Sequence, residues 1–275
     1  MSQKKSTHTP KDSHYARLRR QHRDSVAETA APAEDGLVRL YGLHTVRAAI
    51  ANPRRRIHRL LASRNALARL DLANSGTLPF PVEMVEPKEI DRLTGADAVH
   101  QGVLAEAEPL KPKPLSALGD TALVLVLDQV TDPHNVGAIM RSAVAFGAGA
   151  LITTARHSPS ESGVLAKSAS GALEHIDHLE VRNLAVALQE LQEAGYQTVG
   201  LDSEGPDVLE KSFAGDRIAL VLGAEGKGLR QKTRETVDLL ARLDLEGAIR
   251  SLNVSNAAAV AMYAARRHLA GAGGR

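Results

Sequence analysis

From Thr121 to Leu269 the chain alternates uninterrupted apolar runs with stretches of helical periodicity, a pattern that restricts it to a doubly wound, parallel α/β arrangement. Ala122 to Leu127 has the composition of a strand buried on both faces, and Val136 to Phe146 follows with apolar residues at helical spacing. Strands are predicted over Gly149–Thr153, Ile176–Val181, Thr198–Leu201, Ile218–Leu222 and Leu239–Leu243. Helices are predicted over Glu161–Leu173, Leu184–Ala194 and Ser255–Leu269. Parallel strands send their carboxyl ends to one edge, where open sheets of this kind bind ligands. Three polar, glycine-flanked segments fall after such strands: Thr131 to Arg141, Leu222 to Leu229 and Ser251 to Ser255. Together they predict a site built from loops.

Each segment has a plain structural reading beside a chemical one. Asn135 stands where a helix N-cap is expected. Arg141 lies among the apolar Ile139, Met140, Ala143 and Val144, where a guanidinium close to a buried face needs an anion; phosphate matches its forked donors, and a structural ion pair is the plainer alternative. Gly223, Gly226 and Gly228 permit close backbone approach, although their order is neither GxGxxG nor a Walker loop. Glu225 is suited to anchoring that turn or to accepting a hydrogen bond, and Lys227 to solvent. Ser251 and Asn253 beside Leu243 and Leu252 suit an adenine held by amides and apolar contact, with Ser255 as the cap of the last helix. His175 and His178 are three apart in a predicted strand without an evident further ligand, so no metal site is expected.

Upstream, residues 36–107 read as a small α/β unit. Leu37–Leu40, Ile57–Ala62, Val82–Val85 and His100–Ala105 are its strands, and Val46–Ala51, Asn65–Ala73 and Pro87–Leu93 its helices. A stretch over residues 108–119, with three prolines between Glu108 and Pro114, is expected to space this unit from the domain over 120–275. Residues 1–35 begin strongly basic, turn acidic and Ala/Pro-rich, and lack a sustained apolar period, so a disordered arm is expected, able to bind nucleic acid phosphates or serving only as a solubilising tail. Arg54, Arg55 and Arg56 add positive charge. The chain has no cysteine, which excludes disulfides and thiolate metal sites. It has no apolar run long enough to span a membrane, and a cytoplasmic protein is expected.

Taken together, NxGAxxRSA from Asn135, LGAEGxGL from Leu222 and SLNVSNA from Ser251 resemble the SpoU/TrmH class of ribose 2′-O-methyltransferases in order and spacing, over about residues 120 to 270. Tyr41-Gly-Leu-His44 and its surroundings look like the substrate-binding extension of the subgroup that methylates guanosine in large-subunit ribosomal RNA. The resemblance implies a parallel sheet tied in a deep trefoil knot, a homodimer joined through the C-terminal domain, and S-adenosyl-L-methionine as cofactor. Residue by residue it carries catalytic-site positions onto Asn135, Arg141, Glu225, Ser251 and Asn253, and cofactor contacts onto Gly223, Leu243 and Leu252. Arg250 departs from the small residue common in relatives and places a charge at the pocket rim. For the dimer, Val260, Ala261, Ala264 and Ala265 offer a small-residue helix face; covering its own sheet is the alternative use of that face. Transfer RNA is the rival substrate, and a non-catalytic RNA-binding protein the rival class. A Rossmann-type methyltransferase is disfavoured because no GxG loop follows the first strand of the larger domain.

Overall fold

The computed structural model describes residues 36–72 and 78–272. The expected basic arm over 1–35 lies outside the described residues, as does Ala73, the predicted end of a helix. In the smaller sheet, β1 (Val38–Tyr41), β2 (Ile57–Ala62), β3 (Val82–Met84) and β4 (Val103–Ala107) take the order β1-β4-β2-β3. β4 pairs antiparallel with β1 and β2, whereas β2 and β3 run parallel. Helices α1 (Leu43–Ala51) and α2 (Arg64–Leu70) bury Leu43, Val46, Ala66 and Leu70 in the same core as Leu40, Leu60 and Ala105. α2 starts where Ser63 Oγ accepts from the Ala66 amide at 3.2 Å, a side-chain cap for an otherwise unpaired donor. The opposite face is closed by α3 (Pro87–Thr94), whose Ile90 packs with Leu61 and Leu104.

The larger sheet is wholly parallel. It contains β5 (Leu123–Asp128), β6 (Ala150–Thr154), β7 (Asp177–Val181), β8 (Gln197–Leu201), β9 (Asp207–Val208), β10 (Ile218–Gly223) and β11 (Leu239–Arg242), in the order β7-β6-β5-β10-β8-β11-β9. The short β9 was not among the predicted strands. Successive side chains of β5 serve two layers, as the two-residue period requires. Leu123, Leu125 and Leu127 share a core with α4 (Pro133–Ala145), α5 (Gly163–Ala169) and α8 (Val254–Ala272); Val124 and Val126 share another with α6 (Leu184–Glu193), beside α7 (Gln231–Thr236).

The helix expected over Glu161–Leu173 is broken. α5 ends where Ser170 adopts φ 51° and Gly171 φ 95°, and a 3-10 turn follows over Ala172–Glu174. A Cβ on Gly171 would lie 2.9 Å from the Ala48 side chain, so the break admits α1 at a distance a continuous helix of larger residues would deny.

That contact belongs to a wider correction. The proline-rich connection does not hold the two sheets apart: the Lys113 amide donates to His178 O and its carbonyl accepts from the Glu180 amide, both at 2.9 Å, docking the segment along β7. Nor are the three consecutive arginines a free basic patch. The Arg55 side chain is fully buried; its Nη2 lies 2.6 Å from Glu174 Oε1, and its Nη1 lies 2.6 Å from Glu161 Oε1 and donates to Glu108 O at 2.9 Å. Asn52 Nδ2 adds a 2.6 Å bond to Glu174 Oε2. Arg54 pairs with Asp177 and Arg56 with Glu108. Burial raises the pKa of Glu161 and the Arg55 charge opposes the rise.

His178 carries a pH dependence. Its Nε2 lies 2.8 Å from Thr153 Oγ1, and burial pushes its pKa down to about 4. A folded pKa below the unfolded value near 6.5 means that the folded protein resists protonation, so its stabilising contribution is present above that value and is lost as pH falls toward 4. The two-and-a-half-unit difference corresponds to about 3 kcal/mol. In urea titrations across this window, His178→Gln is expected to lose less stability on acidification than the unmodified protein; parallel pH profiles would refute the assignment. His175 is exposed and precedes β7 rather than lying in it. Among the described residues, no helix is long and apolar enough to cross a membrane.

Candidate active site

The carboxyl ends of β5, β8, β10 and β11 gather at one edge. Asp128, fully buried at the end of β5, accepts from Arg230 N at 3.0 Å and Arg230 Nε at 2.6 Å, which fixes the far end of the loop carrying Glu225. α4 begins beyond β5 with Pro133 in its first turn, and its N-cap is Asp132, which accepts from His134 N at 3.0 Å. Asn135 is therefore not the cap expected from the sequence. It lies inside the helix, only 7% exposed, with its amide free for tertiary contacts.

Those contacts join all three segments. Asn135 Nδ2 donates to Glu225 Oε2 at 3.4 Å, and Asn135 Oδ1 accepts from Asn253 Nδ2 at 3.0 Å. Asn253 Oδ1 then accepts from Ser255 N at 2.9 Å and Ser255 Oγ at 2.6 Å. The carboxylate requires a donor, so the amide orientations follow in turn down the chain. Asn253, not Ser255, supplies the side-chain bond at the start of α8. The Glu225 loop closes on itself where Gly228 N donates to Ala224 O at 2.8 Å. A Cβ on Gly223 would lie 2.1 Å from the Gly228 carbonyl carbon, so only glycine lets the loop fold back this closely.

Beside this network lies a cavity of about 570 Å³. Gly223, Glu225, Leu243, Ser251, Leu252 and Asn253 line it, as do Leu222, Leu245 and Arg250, whose Nη1 donates to Leu245 O at 2.9 Å. Asn135 stands behind it, bonded to Glu225 and Asn253. The sequence reading missed Leu201, Asp202 and Ser203, which form another wall. The signal was available: Leu201-Asp-Ser-Glu-Gly205 is itself a polar, glycine-bounded segment after a strand. Asp202 is held by an ion pair with Arg234.

Arg141 is not brought to this cavity. It is exposed, and it has no side-chain hydrogen bond or ion pair among the described residues. Ile139, Met140 and Ala143 fill the buried arc of α4 and turn Arg141 outward, about 9 Å along the axis from Asn135 and roughly 120° around it. The expected proximity of its guanidinium to a buried face is thus corrected. The proposed helix face changes as well: Ala261, Ala264 and Ala265 are at most 9% exposed and pack within their own chain, whereas Val260 and Tyr263 are 43% and 57% exposed. The Tyr263 ring meets Phe146 edge-on, with centroids 6.3 Å apart.

A doubly wound parallel sheet with a loop-built cavity at its carboxyl edge, joined to a small mixed-sheet unit, defines a two-part α/β ligand-binding protein. Comparison with known proteins gives the family. The model of the SpoU rRNA Methylase family matches residues 122–263, and that of RNA 2'-O ribose methyltransferase substrate binding matches residues 39–113. The chain belongs to the SpoU rRNA methylase family. It is 36% identical over 241 residues to the 23S rRNA (guanosine-2'-O-)-methyltransferase RlmB of Pseudomonas putida, covering 84% of this chain and 96% of that protein. It is 42% identical over 188 residues to the protein of the same name from Ralstonia nicotianae, covering 66% and 76%. In fold it resembles the SpoU methyltransferase AviRb from Streptomyces viridochromogenes in complex with AdoMet, at TM-score 0.72 and 23% identity over 85% of this chain and 91% of that one. An AdoMet-bound rRNA methyltransferase from Sinorhizobium meliloti gives TM-score 0.71 and 23% identity, covering 91% of each chain.

Proposed function

We propose that this protein transfers a methyl group from S-adenosyl-L-methionine to the ribose 2′-hydroxyl of a guanosine in large-subunit ribosomal RNA. The observation that carries the reading is the Glu225–Asn135–Asn253 network bordering the cavity. The likeness to RlmB proteins, over 84% of this chain and 96% of the Pseudomonas putida protein, supports the choice of RNA and a cytoplasmic place of action. The cavity volume of about 570 Å³ suits a nucleoside-sized cofactor. Gly223, Leu243 and Leu252 would hold that cofactor. Bound there, it would supply a methyl group activated on a sulfonium sulfur that departs as a neutral thioether, while the 2′-hydroxyl gives up its proton.

The protein's task is then alignment and charge stabilisation. Asn135 and Asn253 fix the Glu225 carboxylate and the Ser251 segment around the position of the entering ribose. The role of Arg141 in this reading is to clamp the substrate phosphate and stabilise the developing alkoxide. Because Arg141 faces away from its own cavity, the proposal includes a homodimer in which it reaches the site of the partner subunit. The exposed Val260 and Tyr263, on a helix running alongside α4, support this outer face as the interface. The division at residues 107 and 120 and the trefoil knot belong to the same proposal. Purified protein, labelled S-adenosylmethionine and separate 23S-type and transfer RNA transcripts test the activity. Ribose methylation of a guanosine in the ribosomal transcript is expected; methylation confined to transfer RNA, or none, would overturn the assignment.

A further inference from the structure

Further along the same carboxyl edge, β6 and β7 end side by side at Thr154 and Val181. Thr153 and Thr154 face opposite sides of the sheet, as successive strand residues must. Thr153 meets the His178 ring, whereas Thr154 borders a second cavity of about 700 Å³ on the α6 side. Thr154 is only 5% exposed, and its Oγ1 is buried without a hydrogen-bond partner. Buried hydroxyls are normally satisfied, so this one points to a ligand atom that completes it.

The rest of the lining specifies the charge of that ligand. Arg156, Arg182, Arg230 and Lys232 surround the cavity together with His157, and among the described residues no aspartate or glutamate lines it. Asp128 holds Arg230. The side chains of Arg156, Arg182 and Lys232 are exposed and form no hydrogen bond or ion pair among the described residues. The ten-residue helix α6 presents its N-terminal end here, with Asn183, its cap, in the wall. Uncompensated guanidinium and ammonium groups, an unsatisfied hydroxyl and the positive end of a helix dipole form a donor set for phosphate oxygens.

We propose that this cavity binds phosphodiester groups of the RNA strand flanking the methylated nucleotide. The inference rests on the RNA-methylating function proposed above. Arg230 places the two regions in register: it bonds Asp128 at the end of β5 and closes the stretch of chain that begins at Glu225. An RNA strand leaving the reaction site along the sheet edge would pass from the Glu225 loop to Arg156, Arg182 and Lys232.

The test compares the full-length protein with an Arg156→Ala/Arg182→Ala/Lys232→Ala variant and, separately, with Thr154→Val. RNA binding is measured without cofactor across a salt series, alongside steady-state methylation and calorimetry with inorganic phosphate. Removing three phosphate contacts is expected to flatten the log–log salt slope by about 2, so that a fourfold rise in salt costs the variant about sixteenfold less affinity than it costs the unmodified protein. KM for RNA should rise about tenfold or more with kcat and cofactor affinity unchanged, because the lost contacts position RNA without touching the reacting atoms. Thr154→Val should weaken phosphate and RNA binding without lowering the melting temperature, since the deleted hydroxyl had no partner to lose. An unchanged salt slope in the triple variant overturns the proposal, even if inorganic phosphate binding is lost, because the cavity would then hold a free anion only. Failure of the unmodified protein to methylate any RNA would remove the catalytic function, while the slope comparison would still decide whether RNA binds here.

Discussion

Arg55→Ala is expected to cost about 3–5 kcal/mol, because it leaves Glu174 and Glu161 buried without their cation and the Glu108 carbonyl without its donor. That is a large share of the roughly 5–15 kcal/mol that stabilises an ordinary domain. The loss falls where the smaller sheet docks on the larger, so the melting temperature and the resistance of the 108–119 segment to proteolysis should fall together. The deficit depends on pH. Burial already raises the Glu161 pKa, and removing Arg55 removes the charge that opposes the rise. A carboxyl whose folded pKa exceeds its unfolded value favours the fold most below the unfolded value and loses that contribution as pH rises through the folded one. The variant should therefore be nearest the unmodified protein at about pH 4 and furthest from it at neutrality. Replacing all three charges, as Arg55→Met with Glu161→Gln and Glu174→Gln, should recover most of the stability, since an uncharged cluster avoids the desolvation that the ion pairs must offset. A loss below about 1 kcal/mol in Arg55→Ala would show that Arg55 does not hold the two sheets together.

Arg141→Ala is expected to lower kcat by about 10²- to 10³-fold, the usual consequence of removing one preorganised stabiliser of developing negative charge. Cofactor affinity should be unchanged, because Arg141 does not line the cavity, and so should stability, because it is exposed and lacks a side-chain partner among the described residues. Mixing the Arg141→Ala protein with an inactive Glu225→Ala protein and allowing subunits to exchange separates two arrangements. If Arg141 serves the partner's site in a two-fold dimer, each mixed dimer contains one site with both residues intact, and about a quarter of full activity should return. If it serves its own site, both sites of the mixed dimer remain defective and no activity returns. Different affinity tags on the two variants, co-purified from the same samples, establish that exchange has occurred. Normal turnover by Arg141→Ala alone would exclude that residue from the mechanism.

The sequence determined the parallel sheet, its helical layers and the location of the cavity. Ala122–Leu127 and the runs after it have the composition of strands buried on both faces, and local periodicity is sufficient to order strands and helices along a chain. Gly223, Glu225, Ser251, Leu252 and Asn253 were identifiable because each belongs to a polar or glycine-bearing segment near a strand end, whereas Leu243, at the end of a predicted strand, was singled out through the family resemblance. Asp202 was identifiable by the same rule and was passed over. Local pattern is silent about partners far away in sequence. Asn135 had the composition of a helix cap, and only packing against segments 90 and 118 residues away made it the link between Glu225 and Asn253. Arg55 read as one of three consecutive positive charges until burial beside Glu174, 119 residues on, made it the tie between two sheets. Arg141 and the alanines of α8 show the converse: their faces were decided by which side of each helix met the sheet, a rotation that the three-dimensional core fixes once strand order is set. Periodicity determines that a residue lies on a stripe, whereas the charge, amide or hydroxyl it meets is decided by tertiary packing, because such contacts are formed between segments whose separation no local pattern records.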